Sequence, residues 1–294
     1  MDKILYHAGC WDGFCAAWLC HKVWPDAEYI PVQYGNPPPD VTGAQVLVVD
    51  FSYPRDVLTA LRATCKQTHG KGELAVLDHH KTAQADLADL DWCVFDMDKS
   101  GARLTWEFLW DNGEISKRHF NGNAILNSQH APWLVDYTED RDLWRWKLPE
   151  SRQVNAALRS YPYDFAVVDE LYDLTNPGIL AVEGVAILRA QQQLVDQHVR
   201  FARPVNIGGH TVLGANATCH VSEIAQELAA KGPGPFGACW FENDKGEKVY
   251  SLRSTDKSGF DVSALAKNFG GGGHARAAGY TETPADASAH QSVL

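Results

Sequence analysis

No apolar run in these 294 residues approaches the ~18 needed to cross a bilayer, so no membrane partner is expected. Positive charge is scarce: 26 Lys and Arg face 37 Asp and Glu, a formal charge of −11. That balance argues against a footprint for long duplex nucleic acid, which needs clustered basic residues. Cysteine supplies no scaffold either. The seven (Cys10, Cys15, Cys20, Cys65, Cys93, Cys219, Cys239) are odd in number and include no Cys-x-x-Cys pair. A disulfide framework and a structural zinc knuckle are therefore disfavoured, and most of these thiols read as small buried hydrophobes. Met1-Asp2-Lys3 precedes only a short apolar run, too short for a secretory signal, so a cytoplasmic location is expected. Solenoid-type repeats are absent. What the chain does have is 45% hydrophobic residues with 11% aromatics, enough for well-filled cores.

The expected fold class is α/β, in two domains joined by a helix. The first domain is expected over 1–177, and from residue 1 to about 150 short apolar runs alternate with helical patterns, which reads as βαβ units around a parallel sheet. A turn at Asp12-Gly13 leads into a helix from Phe14 to Trp24, and Arg55 to Gln67 carries apolar residues at 57, 58, 61 and 65, one helix face. Ser100 in Asp98-Lys99-Ser100-Gly101 reads as an N-cap. Asn176-Pro177-Gly178 breaks the chain, and 178–202 reads as a linker helix. The smaller α/β domain, 203–294, opens with a hairpin turning at Gly208-Gly209. Ser222 is expected to cap a helix over Glu223 to Lys231, and strands Ala238 to Glu242 and Lys248 to Arg253 follow. After a short helix from Val262 to Phe269 comes a run of four glycines, and the last dozen residues read as a loose polar tail.

Three apolar runs end in residues that bind metals. Ile4-Leu5-Tyr6 runs into His7 with Asp12 soon after, Val46 to Val49 into Asp50, and Leu74 to Leu77 into Asp78-His79-His80. Alone, each His or Asp reads as a cap or loop residue. Together they fall where open α/β sheets bind ligands, beyond the carboxyl ends of the strands, and point to one shared metal site. Two divalent ions sharing a carboxylate can hold the attacking and leaving oxygens of a phosphoryl displacement. The mixture of imidazole and carboxylate suits manganese, with magnesium, cobalt or zinc as alternatives. A bound cation would also neutralise part of the negative charge. Asp136, Asp140 and Asp142 in Asp136-Tyr137-Thr138-Glu139-Asp140-Arg141-Asp142 are further candidate ligands.

These segments resemble the motifs of the DHH phosphoesterases. That family includes single-strand exonucleases of the RecJ type, nano-RNases, cyclic-dinucleotide phosphodiesterases and family II inorganic pyrophosphatases. The likeness runs over nearly the whole chain: Tyr6 to Phe14 for the first motif, Val48-Val49-Asp50 for the second, Asp78-His79-His80 for the third, and Asp142 as the chosen residue of the fourth. The resemblance implies that Asp50 bridges two metal ions, that Asp12, His79 and Asp142 complete one site, and that His7 belongs to the other. It places the catalytic chemistry at Asp78, His79 and His80, with Asp78 orienting an imidazole and His80 facing the substrate phosphate. One departure stands out. The family's His-x-Asp-x-Asp is stretched by one residue between His7 and Asp12, and neither Gly9 nor Cys10 is a carboxylate. A thiolate from Cys10, a water, or weaker occupancy would fill the place of the missing acid, a thiolate favouring softer metals; Cys10 packed beneath the site as a plain thiol is the alternative.

Gly271-Gly272-Gly273-His274 resembles the Gly-Gly-Gly-His signature of the DHH-associated C-terminal domain, which in relatives holds the terminal phosphate or base of the substrate. Successive glycines can aim backbone N–H groups at an anion, with His274 as a further donor. Ser251-Leu252-Arg253-Ser254 looks like that domain's arginine strand, where Arg253 reads as a bidentate grip on a phosphate or as a surface arginine; Arg276 reads as a solvated side chain. The cluster Trp133, Trp144, Trp146 reads as core or as a base-stacking surface, and Ser100-Gly101-Ala102 as a cap or an anion site. The expected activity is hydrolysis of short oligoribonucleotides by a hydroxide held between two manganese ions. The alternatives are a small-nucleotide hydrolase (a cyclic or linear dinucleotide, or 3′-phosphoadenosine phosphate) and a nucleotide-binding regulatory module. Inorganic pyrophosphate is disfavoured, because the glycine element suits a larger substrate. A homodimer is compatible with this reading.

Overall fold

The computed structural model of the chain describes residues 1–65, 73–116, 119–120 and 127–283. The expected tail beyond 283 and the end of the helix expected to reach Gln67 lie outside the described residues. The chain divides into two compact units, Met1–Leu188 and Arg189–Leu294.

The first unit alternates strand and helix from its start: β1 (Lys3–His7), α1 (Trp11–Val23), β2 (Glu28–Val32), β3 (Val46–Val49), α2 (Arg55–Cys65), β4 (Leu74–Asp78), α3 (Lys81–Leu87), β5 (Cys93–Phe95) and α4 (Gly101–Asp111). Helices α5 (Trp133–Asp142), α6 (Ser151–Leu158), α7 (Phe165–Leu174) and α8 (Pro177–Arg200) follow, and the division between the units falls within α8. The strands form one all-parallel sheet in the order β2-β1-β3-β4-β5. Its central strands are apolar on both faces, as helices on both sides require. Ile4, Leu47, Val49 and Leu77 pack with α1, α4 and α5 on one face; Leu5, Val46, Val48, Leu74 and Val76 pack with Leu58, Leu61 and Leu87 on the other. This is an α/β architecture. No described helix is long and apolar enough to cross a membrane.

Register decides where the functional residues go. Tyr6 pairs with Val49, and Val49 with Leu77, so these three lie in one row across β1, β3 and β4. The next residue on each strand is His7, Asp50 and Asp78. Neighbouring strands lie about 4.8 Å apart, so the three residues stand side by side at the carboxyl margin of the sheet.

The second unit has β6 (Arg203–Ile207), β7 (His210–Asn216), α9 (Val221–Lys231), β8 (Gly237–Glu242), β9 (Lys248–Arg253), α10 (Val262–Lys267), β10 (Gly272–His274) and β11 (Ala277–Glu282). Its sheet runs β10-β11-β9-β8-β7-β6, antiparallel except for the β7–β8 pair. Ile224, Ala225 and Leu228 of α9 pack with Ala215 and Cys239, and Val262, Leu265 and Ala266 of α10 with Val212 and Leu252.

Two local expectations are corrected. Asp12-Gly13 is not a turn: the chain reverses at Gly9 (φ 68°), and Asp12 and Gly13 already lie in the first turn of α1. Ser222 does not cap α9. The helix begins at Val221 behind a left-handed His220 (φ 50°), and the Ser222 hydroxyl instead accepts a hydrogen bond from Arg253 Nη2 at 2.7 Å.

Candidate metal centre

Asp12 is almost fully buried, and burial alone would expel a charged carboxylate. The start of α4 offsets part of that cost. The backbone N–H groups of Gly101 and Ala102 donate to its two oxygens at 2.6 and 3.0 Å, the arrangement by which a helix N-terminus holds an anion. The anion suspected at Ser100-Gly101-Ala102 is thus the protein's own Asp12, with Ser100 as the cap, its hydroxyl accepting from Arg103 N–H at 3.2 Å. Gly13 brings α1 against β1, since a Cβ there would lie 2.7 Å from the His7 carbonyl oxygen.

His79 is the meeting point. Its Nε2 lies 3.1 Å from Asp50 Oδ1, 3.6 Å from Asp12 Oδ2 and 3.5 Å from Asp142 Oδ2. Asp50 has a second oxygen, Oδ2, 3.5 Å from His7 Nδ1. That distance is too long for a good hydrogen bond, and both atoms are buried without a hydrogen-bond partner. Ligand atoms of Asp12, Asp50 and His79 all lie within 4.8 Å of one another, and so do those of His7, Asp50 and His80. The two sets share Asp50. A pair of divalent ions fits this donor set, because it would satisfy the orphaned His7 and Asp50 atoms and offset three crowded carboxylates.

The electrostatics agree with the crowding. Asp12 is pushed well above the usual carboxylate range by burial, then by the charges of Asp50 and Asp142. Burial would raise Asp50 too, but the His7 and His79 imidazoles hold it well below that range. Burial would lower His79, yet Asp50, Asp142 and Asp12 carry it well above an ordinary imidazole. The Cys10 thiol is pushed up strongly by burial and by the Asp50, Asp142 and Asp12 charges, and Cys10 belongs to no metal-ready group among the described residues. The packed thiol, and not the thiolate, is the alternative this geometry favours.

Asp78 stands behind the cluster, fully buried. Its Oδ1 accepts from the His79 N–H at 2.7 Å and from His80 Nδ1 at 2.7 Å; its Oδ2 accepts from Ser52 Oγ at 2.6 Å. A carboxylate behind a histidine fixes its tautomer and its aim. Asp78→Asn is expected to weaken divalent-metal binding by about 10–100-fold, read by competition against a chelating dye.

Geometry separates the three acidic candidates of α5. Asp136 pairs with Arg103, and Asp140 accepts from the Lys147 and Leu148 N–H groups at 2.8 and 3.2 Å. Asp142 alone of the three reaches His79. Glu139 braces α5, accepting from Ser100 N–H at 3.3 Å and pairing with Arg103 at 3.4 Å. Tyr34 and Ser52 were not legible in the sequence. The Tyr34 ring lies edge-on to His7 at 5.6 Å and packs on Phe51 at 4.5 Å. Trp133 stacks on Tyr172 and borders the core, whereas Trp144 and Trp146 meet edge-to-face at 5.0 Å with the Arg152 guanidinium over Trp146. One face of Trp133 and one face of Trp146 are thus engaged within the unit.

In the second unit the glycine run is not an open loop. Gly272, Gly273 and His274 form an edge strand paired with Gly279, Ala278 and Ala277, and the Gly271 N–H donates to Ala266 at 2.9 Å. Ala277 pairs with His274 on one side and Arg253 on the other. Arg253 and His274 therefore flank a small residue on one face of the sheet. Arg253 donates to Ser222 Oγ, and Arg276 to the Thr255 carbonyl at 2.7 Å.

No protein-family model matches the chain. It is 28% identical over 309 residues to the uncharacterized protein R106 of Acanthamoeba polyphaga mimivirus, an alignment covering 95% of this chain and 67% of that protein. It is similar in structure to the pGpG-specific phosphodiesterase PggH from Vibrio cholerae, with a TM-score of 0.49 at 12% identity over 100% of this chain and 97% of that one. It is also similar to the DHH domain of a member of a ribosomal-protein family, with a TM-score of 0.53 at 14% identity over 96% of this chain and 82% of that one. This last likeness, with the parallel sheet of the first unit, gives the chain a DHH-like fold.

Proposed function

We propose that the chain is a divalent-metal-dependent phosphodiesterase of short oligoribonucleotides, with manganese as its ion. The observation that carries this reading is Asp50, one buried carboxylate whose two oxygens address His79 and His7 separately. Asp12, Asp50, His79 and Asp142 would hold one ion, and Asp50 and His7 would bind the other. Ions held there would polarise a phosphoryl oxygen and make a neighbouring water acidic near neutral pH. The chain's own part is placement. The start of α4 fixes Asp12, Arg103 and Glu139 brace the helix that carries Asp142, and Asp78 holds the two histidines that follow it. Arg253 and His274 in the second unit would receive a phosphate of the substrate, in keeping with a DHH-associated C-terminal domain. The acidic balance of the chain favours short substrates over long strands.

The test is product analysis on a 5′-labelled short RNA, a longer RNA, cyclic and linear dinucleotides and 3′-phosphoadenosine phosphate. Chelation is expected to abolish hydrolysis of the short RNA and added manganese to restore it. Oligomers left intact while a small nucleotide turns over would move the assignment to that nucleotide. Tight nucleotide binding without hydrolysis would make the chain a regulatory module.

A further inference from the structure

The stretched first motif leaves the second ion with His7 and the shared Asp50 but no carboxylate of its own. We propose that His80 fills that position, so that the second ion is held by two imidazoles and a bridging carboxylate. This deepens the dinuclear reading above and rests on it.

Three observations support the assignment. A ring nitrogen of His80 lies within 4.8 Å of the ligand atoms of His7 and Asp50, which also lie that close to each other. Ligands about 2.0–2.2 Å from a common ion are at most about 4.4 Å apart, so small side-chain shifts close the site. Second, the His80 Nδ1 donates to Asp78, a buried carboxylate itself anchored by Ser52 and the His79 N–H. With Nδ1 protonated, the lone pair sits on Nε2, the tautomer that a carboxylate behind a metal-binding histidine imposes. Third, His7 Nδ1 and Asp50 Oδ2 are buried, 3.5 Å apart and without hydrogen-bond partners. Cys10, the rival for the vacant motif position, joins no such group among the described residues. The two sites then differ in kind. Three carboxylates and one imidazole suit manganese or magnesium, while two imidazoles and one carboxylate favour cobalt or zinc.

The experiment counts bound ions by equilibrium dialysis in the wild type, His80→Ala and Cys10→Ser with manganese, magnesium and cobalt. Expected are two manganese ions in the wild type and in Cys10→Ser. The second ion should bind at least about 10-fold more weakly in His80→Ala, and magnesium should fill only the first site. Proton spectra of the cobalt-loaded wild type add a readout that does not depend on a variant folding. Three shifted, exchangeable imidazole N–H signals are expected, from His7, His79 and His80. Two such signals, or His80→Ala holding both ions at wild-type affinity and failing only in substrate KM, would place His80 on the substrate and overturn the assignment. Loss of the second ion in Cys10→Ser would give the position to the thiol. A wild type that binds no ion would end both this assignment and the proposed function; one that binds two ions through His80 yet cleaves no phosphoester would end only the function.

Discussion

Asp50→Asn is expected to eliminate turnover while leaving the chain folded. Asp50 has φ 55°, a left-handed conformation that costs most residues of its kind but that asparagine tolerates well, so the substitution preserves the backbone. It removes the one carboxylate common to both ligand groups. Loss of a residue that only orients a ligand typically costs about 10–100-fold, and the shared ligand must cost more than that. The cleaner readout is thermal. Manganese at about 100 times its Kd should stabilise the wild type by about 2.7 kcal/mol, visible as a rise in Tm. The variant should melt at the same temperature with and without the metal. A Tm that still rises with manganese, or turnover within about 10-fold of wild type, would remove Asp50 from the metal centre.

Much of that centre was legible because of how parallel strands pair. The apolar runs ending at His7, Asp50 and Asp78 each form a buried strand, and neighbouring strands in equivalent register bring equivalent ends together. Sequence shows the ends, and the alignment of Tyr6, Val49 and Leu77 supplies the rest. Asp142 was harder to single out. Asp136, Asp140 and Asp142 share one short helix, and which of them meets His79 depends on the direction in which α5 arrives, a tertiary fact. Asp12 was expected as a ligand and placed in a turn with Gly13. In the fold, Gly13 is a close-approach glycine inside a helix. Ser52 and Tyr34 carry no spacing signal. One is recruited through the buried Asp78 and the other through packing on Phe51. The glycine run was readable as a place of close backbone approach, but not as an edge strand. Four glycines have no side-chain alternation from which a strand could be inferred.

A second large effect is expected at a residue with no chemistry of its own. Gly101→Ala should destabilise the protein, although alanine in an ordinary helix is worth up to about 1 kcal/mol over glycine. A Cβ at Gly101 would lie 2.5 Å from Asp50 Cβ and 2.9 Å from Asp50 Cα, and neither atom belongs to a flexible side-chain end that could move aside. Asp50 is held in turn by its N–H bond to the Leu77 carbonyl at 2.9 Å. The start of α4 must therefore retreat. Retreat lengthens the bonds from the Gly101 and Ala102 N–H groups to Asp12, the backbone donors that face this buried carboxylate. Overpacking of this kind costs about 1–3 kcal/mol, read as a lower urea midpoint with an unchanged m-value. Metal affinity should fall with it, since Asp12 and Asp50 are both displaced. Gly178→Ala, at an exposed helical glycine whose nearest obstacle is the Asn176 Oδ1 at 3.2 Å, is the matched comparison and should be close to neutral. If Gly101→Ala also proved neutral, with manganese affinity intact, the contact between α4 and Asp50 would not be what sets the geometry of the site.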